Sequence, residues 1–224
     1  MKKRESVVVI GLGIFGLDLV KKLKELKADV IAIDKDPSAA ALAGDIADRT
    51  FICDSGNYSA LEELGIDKVD HAIVAISQGT PDSAVATITT TLALKKLNIK
   101  DIVVRVDDES YVEILKEIGA TYLFSPLKTA SDRLSNIVLA ENYDDYFNIS
   151  DEYSVLQIVV GDNFDEIKIS DLDSPKKYGV IIILIKRDGV EFMPKSTDVI
   201  KAKDEVFVFG EIDDANRLAK ELSK

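Results

Sequence analysis

Gly11-Leu12-Gly13-Ile14-Phe15-Gly16 has the spacing G-x-G-x-x-G. Glycines in that pattern, set between an apolar strand and an amphipathic helix, bind the pyrophosphate of a nucleotide. Gly11 allows a tight turn, Gly13 lets a phosphate approach the backbone, and Gly16 lets the helix pack close to the strand. The phosphates would rest on the amides of the Leu12, Ile14 and Phe15 stretch, where the helix dipole favours anions. Asp34 lies 18 residues after Gly16, at the end of the next apolar run. A carboxylate there binds both ribose hydroxyls and repels a 2′-phosphate. Lys35 beside it partly offsets that repulsion.

Further candidates sit at the ends of the following apolar runs. Asp54 and Ser55 can hydrogen-bond an adenine or a ribose, or cap the next helix. Ala75, Ile76 and Ser77 open onto the same crevice. Arg105 can meet a phosphate, or pair with Asp107 or Asp108. In open parallel sheets, ligands bind at the carboxyl ends of the strands, which is where these residues fall.

Catalytic equipment is sparse. None of the seven tyrosines has a lysine four residues later, as a short-chain dehydrogenase requires. The single histidine, His71, precedes an apolar strand and reads as structural or exposed. The single cysteine, Cys53, has no local basic partner and reads as packing. One cysteine excludes an intrachain disulfide and a cysteine zinc site. The acids Asp162, Asp165, Glu166, Asp171 and Asp173 could hold a hard cation, but read as solvated surface, so no metal site is expected. The residues describe a nucleotide site without chemistry, the profile of a sensor rather than an enzyme. An NAD-dependent oxidoreductase of unknown substrate is the alternative.

The elements that must position this site alternate. Strands are expected at Val7–Ile10, Asp29–Ile33, Thr50–Cys53, Ala72–Ile76, Ile102–Val106 and Tyr122–Phe124. Helices fall between them at Ile14–Leu26, from Pro37, from Asn57 or Ser59 to Leu64, at Pro81–Leu97 and at Ser110–Ile118. That alternation predicts an α/β, Rossmann-like, doubly wound parallel sheet. A further amphipathic helix spans 127–142. Asn142–Asn148 reads as a polar-aromatic connector. A small α+β lobe follows, with strands at Ser154–Val160, Val180–Ile185, Val190–Met193 and Glu205–Phe209. Lys186–Gly189 forms a hairpin turn and Asp213–Leu222 a closing helix. The expected lobes are 1–125, a crossover helix and linker over 126–150, and 151–224.

Composition narrows the partners. The chain has 224 residues and a net charge of -12. Acidity of that size disfavours nucleic acid and anionic lipid as direct partners. No apolar run approaches the roughly 18–20 residues of a membrane span. The basic start, Met1–Arg4, is followed by no adequate apolar core or cleavage site, so no signal peptide is expected.

The ordered set of motifs resembles the RCK family, regulators of potassium conductance, and within it the soluble Trk/Ktr-type subunits. It comprises Val7–Gly16, Ile33–Asp36, Cys53–Ser55, Ala72–Ser77, Val112–Ala120 leading to Ser125-Pro126, and then Lys177–Val180, Pro194 and Asp204–Gly210. The resemblance implies a homodimer built on the first lobe, with a crossover helix exchanged between partners. Dimers would assemble into a ring, commonly octameric, on the cytoplasmic face of a separate membrane potassium channel subunit. The second lobe would add a dimer contact. The nucleotide would be sensed, not consumed. ATP-responsive members carry an arginine where this chain has Ile14, and a glutamate where it has Leu127. Both changes remove charged contacts to a third phosphate. NAD(H) or an adenosine mono- or diphosphate is therefore the expected ligand, with ATP less favoured.

Overall fold

The computed structural model describes residues 4–139, 143–150 and 152–223. Within them the chain alternates β1 (Ser6–Ile10), α1 (Ile14–Glu25), β2 (Asp29–Asp34), α2 (Pro37–Ala43), β3 (Arg49–Ile52), α3 (Tyr58–Glu63), β4 (His71–Val74), α4 (Pro81–Lys96), β5 (Asp101–Arg105), α5 (Val112–Glu117) and β6 (Tyr122–Phe124). The helix α6 (Pro126–Leu139) follows. The chain divides into two compact units, one up to Thr129 and one from Ala130.

In the first unit the strands form one parallel sheet in the order β3-β2-β1-β4-β5-β6. The order reverses between β1 and β4, which opens a crevice at their carboxyl ends. Both faces of the sheet are buried, so its strands are apolar runs rather than alternating ones. Val7 and Val9 pack with Leu12 and Val20 on the α1 side. Val8 and Ile10 pack with Leu61, Leu94 and Leu115 on the side of α3, α4 and α5. Asn57 caps α3 by accepting the Ala60 N–H at 3.3 Å, and Gly65 beyond it takes a φ of 72°. The segment expected as one helix from Ser110 starts as a 3-10 turn, Glu109–Tyr111, before α5.

The second unit carries β7 (Tyr143–Asn148), β8 (Tyr153–Val159), β9 (Ile167–Lys168), α7 (Ile169–Leu172), α8 (Ser174–Tyr178), β10 (Ile181–Arg187), β11 (Val190–Phe192), β12 (Val199–Ile200), β13 (Glu205–Glu211) and α9 (Ile212–Leu222). Its main sheet is antiparallel, in the order β11-β10-β13-β8-β7. Strict alternation puts Leu156, Ile158, Val206 and Val208 in a core with Ala215, Leu218 and Leu222 of α9. The β10–β11 hairpin turns on Asp188 and Gly189, with φ of 52° and 78°, the pair of positive values a type I′ turn requires.

The connector expected at 142–148 is corrected by β7, which pairs with β8. The pairing shifts register between Tyr143 and Asp145, and that irregularity hides the two-residue period. The end of the helix expected to reach Asn142 lies outside the described residues beyond Leu139.

Candidate functional site

The crevice at the carboxyl ends of the sheet is a cleft of about 1170 Å³. Its wall includes Gly11, Gly13, Ile14, Phe15, Asp34, Lys35, Asp54, Ser55, Ala75, Ile76, Ser77 and Arg105. Twelve of the fourteen candidate residues thus meet in one place. Leu12 and Gly16 do not line it; they act from behind the wall.

The three glycines serve different ends. Gly11 has a φ of 95°, and a Cβ on it would lie 2.9 Å from Ile76. A Cβ on Gly16 would collide with the Gly11 carbonyl. Fold geometry therefore explains both. Gly13 has an ordinary φ of -66°, and a Cβ there meets nothing within 4 Å. The fold gives no reason for glycine at 13, where the backbone faces open space on the cleft wall. No side chain caps α1, and no acid occupies its first turn. Its first amides therefore remain available to an anion.

Asp34 is held from both sides. One carboxylate oxygen accepts the Leu12 N–H at 2.6 Å and the other the Asp36 N–H at 2.9 Å. Each oxygen keeps a further lone pair for a ribose hydroxyl. The buried Leu12 contributes through its amide, which explains its place behind the wall.

Arg105 donates from Nε to Asp107 at 2.8 Å, and its guanidinium lies 5.5 Å over the Phe15 ring. Phe15 stacks in turn on Phe124, with centroids 6.0 Å apart. Gln78 ties the β4 and β5 ends together. Its side-chain NH₂ donates to the Arg105 carbonyl at 2.7 Å, and its oxygen accepts the Asp107 N–H at 2.8 Å. Asp54 accepts the Gly56 N–H at 3.0 Å, while Asn57, not Asp54 or Ser55, caps α3.

Sequence reasoning missed the helical half of the wall: Asp18 and Lys21 of α1, and Asp82, Ser83 and Thr89 of α4. Their one signal is helical spacing, since Ile14, Asp18 and Lys21 recur along one face. With them, the charged wall residues comprise four acids (Asp18, Asp34, Asp54, Asp82) and three bases (Lys21, Lys35, Arg105).

The remaining reactive side chains are accounted for structurally. Cys53 donates its thiol to the Asp54 carbonyl at 3.4 Å, and burial pushes its pKa up. A thiol kept protonated is a poor nucleophile. His71 lies at the opposite end of the sheet, with Nδ1 2.5 Å from Asp101. Among the described residues, no cluster of three or more His, Cys, Asp or Glu could hold a metal ion. Among them, too, no helix is long and apolar enough to cross a membrane.

Residues 7–126 match the TrkA-N domain and residues 155–223 the TrkA-C domain. The chain is 34% identical over 221 residues to Ktr system potassium uptake protein C of Bacillus subtilis (strain 168), covering 98% of each. It is 30% identical over 220 residues to Ktr system potassium uptake protein A of the same organism, covering 98% of this chain and 97% of that one. The solved GsuK channel bound to NAD matches 100% of this chain and 40% of its own, with a TM-score of 0.65 at 16% identity.

Proposed function

The chain belongs to the TrkA-N/TrkA-C family of potassium uptake proteins, and from that premise we propose that it is the nucleotide-sensing regulatory subunit of a membrane potassium transporter. The observation that carries the sensing role is Gly13, a glycine that no part of the fold requires, at an uncapped helix N-terminus beside a braced Asp34.

The ligand is NAD(H) or an adenosine mono- or diphosphate. Phosphates lie on the α1 amides and the ribose on Asp34. The GsuK channel, which shares this fold, was solved bound to NAD, and that precedent supports a dinucleotide. A third phosphate is disfavoured, because the charged wall residues are four acids and three bases and Ile14 and Leu127 are apolar.

The subunit forms a homodimer, and dimers form a ring, octameric in the family pattern, on the cytoplasmic face of the transporter. The nucleotide lobe spans 1–125, the crossover helix and linker 126–150, and the second lobe 151–224. Ligand biases gating only by binding one ring shape better than another. Shifting 1:99 to 99:1 takes about 5.5 kcal/mol of differential affinity, which several equivalent sites can share.

Calorimetry with NADH, AMP, ADP and ATP tests the ligand; a strong preference for ATP over all the others would refute that assignment. Asp34→Ala should weaken binding about tenfold or more, by removing the ribose contacts and the brace on Leu12. Potassium flux through the reconstituted transporter tests the role, which falls if no nucleotide changes flux.

A further inference from the structure

Helix α4 carries threonines at 87, 89, 90 and 91. Three of them return their hydroxyl proton to the helix backbone. Thr87 donates to the Ser83 carbonyl at 2.9 Å, Thr89 to Val85 at 2.9 Å, and Thr91 to Thr87 at 2.7 Å. Thr90 differs. Among the described residues its hydroxyl meets only the Ser55 hydroxyl, at 2.6 Å. Thr90 is 0% exposed and Ser55 7%.

Two hydroxyls share one hydrogen bond, so one of their two protons is left over. If Ser55 donated, the spare proton would belong to Thr90, sealed in the core with no acceptor. A buried donor left unpaired costs more than the bond returns. If Thr90 donates, the spare proton belongs to Ser55, which lines the cleft and reaches water or ligand there. The proton count decides the direction that the heavy atoms leave open.

We infer that Thr90, which is not part of the cleft wall, is a positioning residue that, by occupying one Ser55 lone pair, turns the Ser55 proton toward the base of the bound nucleotide as a hydrogen-bond donor. The inference rests on the reading that an adenine nucleotide occupies the cleft. The sheet order places the base. Phosphates belong at the end of β1 and the ribose at Asp34 on β2, so the base lies outward, at the end of β3 where Asp54 and Ser55 stand. One Asp54 oxygen takes the Gly56 N–H, and the other has no hydrogen bond among the described residues. An acceptor beside a donor matches adenine, whose amino group adjoins a ring-nitrogen acceptor. It mismatches hypoxanthine, whose carbonyl adjoins a ring N–H.

The test is calorimetry of the full chain with ADP and with inosine diphosphate. The intact protein should prefer ADP. Thr90→Val keeps the shape but removes the bond that orients the Ser55 hydroxyl, so its proton can turn away and an oxygen lone pair can face the base instead. The ADP-to-inosine-diphosphate preference should then fall about fivefold to tenfold. Thr90→Ser should restore it. Ser55→Ala, on the cleft wall, should weaken ADP about tenfold and inosine diphosphate much less. It keeps the inference open to refutation if Thr90→Val does not fold, and Thr90→Ser then reads the part Thr90 plays. An unchanged preference in Thr90→Val, tighter ADP binding in that variant, or equal weakening of both nucleotides by Ser55→Ala overturns the inference. Failure of the intact chain to bind ADP, AMP or NADH refutes the proposed ligand itself, a result separate from a changed preference.

Discussion

The two ends of the parallel sheet treat their polar groups in opposite ways. At the amino end, carboxylates bind their own fold. Asp70 accepts the Ser6 N–H at 2.9 Å and the Ser6 hydroxyl at 2.7 Å. Asp48 accepts the Val30 N–H at 2.8 Å and Lys24 at 2.6 Å. Asp101 holds His71 and accepts the Thr121 hydroxyl at 2.9 Å. At the carboxyl end, α1 has no cap, Gly13 faces open space, and one Asp54 oxygen has no hydrogen bond among the described residues. Strands of one sheet, with similar apolar interiors, are finished at one end and only partly finished at the other, where Asp34 and Arg105 are braced but the α1 amides are not capped by a side chain. Binding capacity is therefore read best from hydrogen-bonding groups that the fold leaves unused, not from polarity alone.

The sharpest way to break this contrast is within the glycine loop. Gly16→Ala puts a Cβ on the Gly11 carbonyl and should cost about 3 kcal/mol or more, read by urea unfolding. Gly13→Ala should leave stability within about 1 kcal/mol, since its φ suits alanine. It should still weaken NADH or ADP at least about tenfold in calorimetry, because the methyl fills the phosphate approach. A stability collapse in Gly13→Ala would remove the distinction between the two glycines.

The smallest effects belong to the amino end. Asp48→Asn and Asp101→Asn should each cost less than about 1 kcal/mol and leave nucleotide affinity unchanged. Lys24 and the Val30 amide hold the Asp48 carboxyl below its usual range, and the His71 hydrogen bond does the same for Asp101. A carboxyl lowered on folding stabilises fully above its unfolded value of about 3.9, and the effect fades as pH falls through the folded value. Either variant should therefore flatten the acid limb of a stability profile below about pH 4. A loss of equal size at neutral and at acid pH would instead assign these residues another role.

Much of the first unit was legible because its strands are continuous apolar runs bounded by glycine, proline or acids. The glycine loop and Asp34 stood out because their spacing is local. The α4 wall was not legible, since Asp82 and Thr89 reach the cleft only through the crossover from β4. The role of Thr90 depends on a partner 35 residues away. In the second unit, the alternation in β8 and β13 announced itself. By contrast, β9 and β12 are two residues each, too short for any period to register.

The Phe15–Phe124 stack has an optical consequence. The chain contains no tryptophan. Phe124→Trp would install a single indole on β6 against Phe15 of the first turn of α1, outside the cleft wall itself. Its emission should shift when NADH or ADP is added and stay constant with ribose alone. One aromatic contact would then turn loop occupancy into a colour change that can be followed in real time.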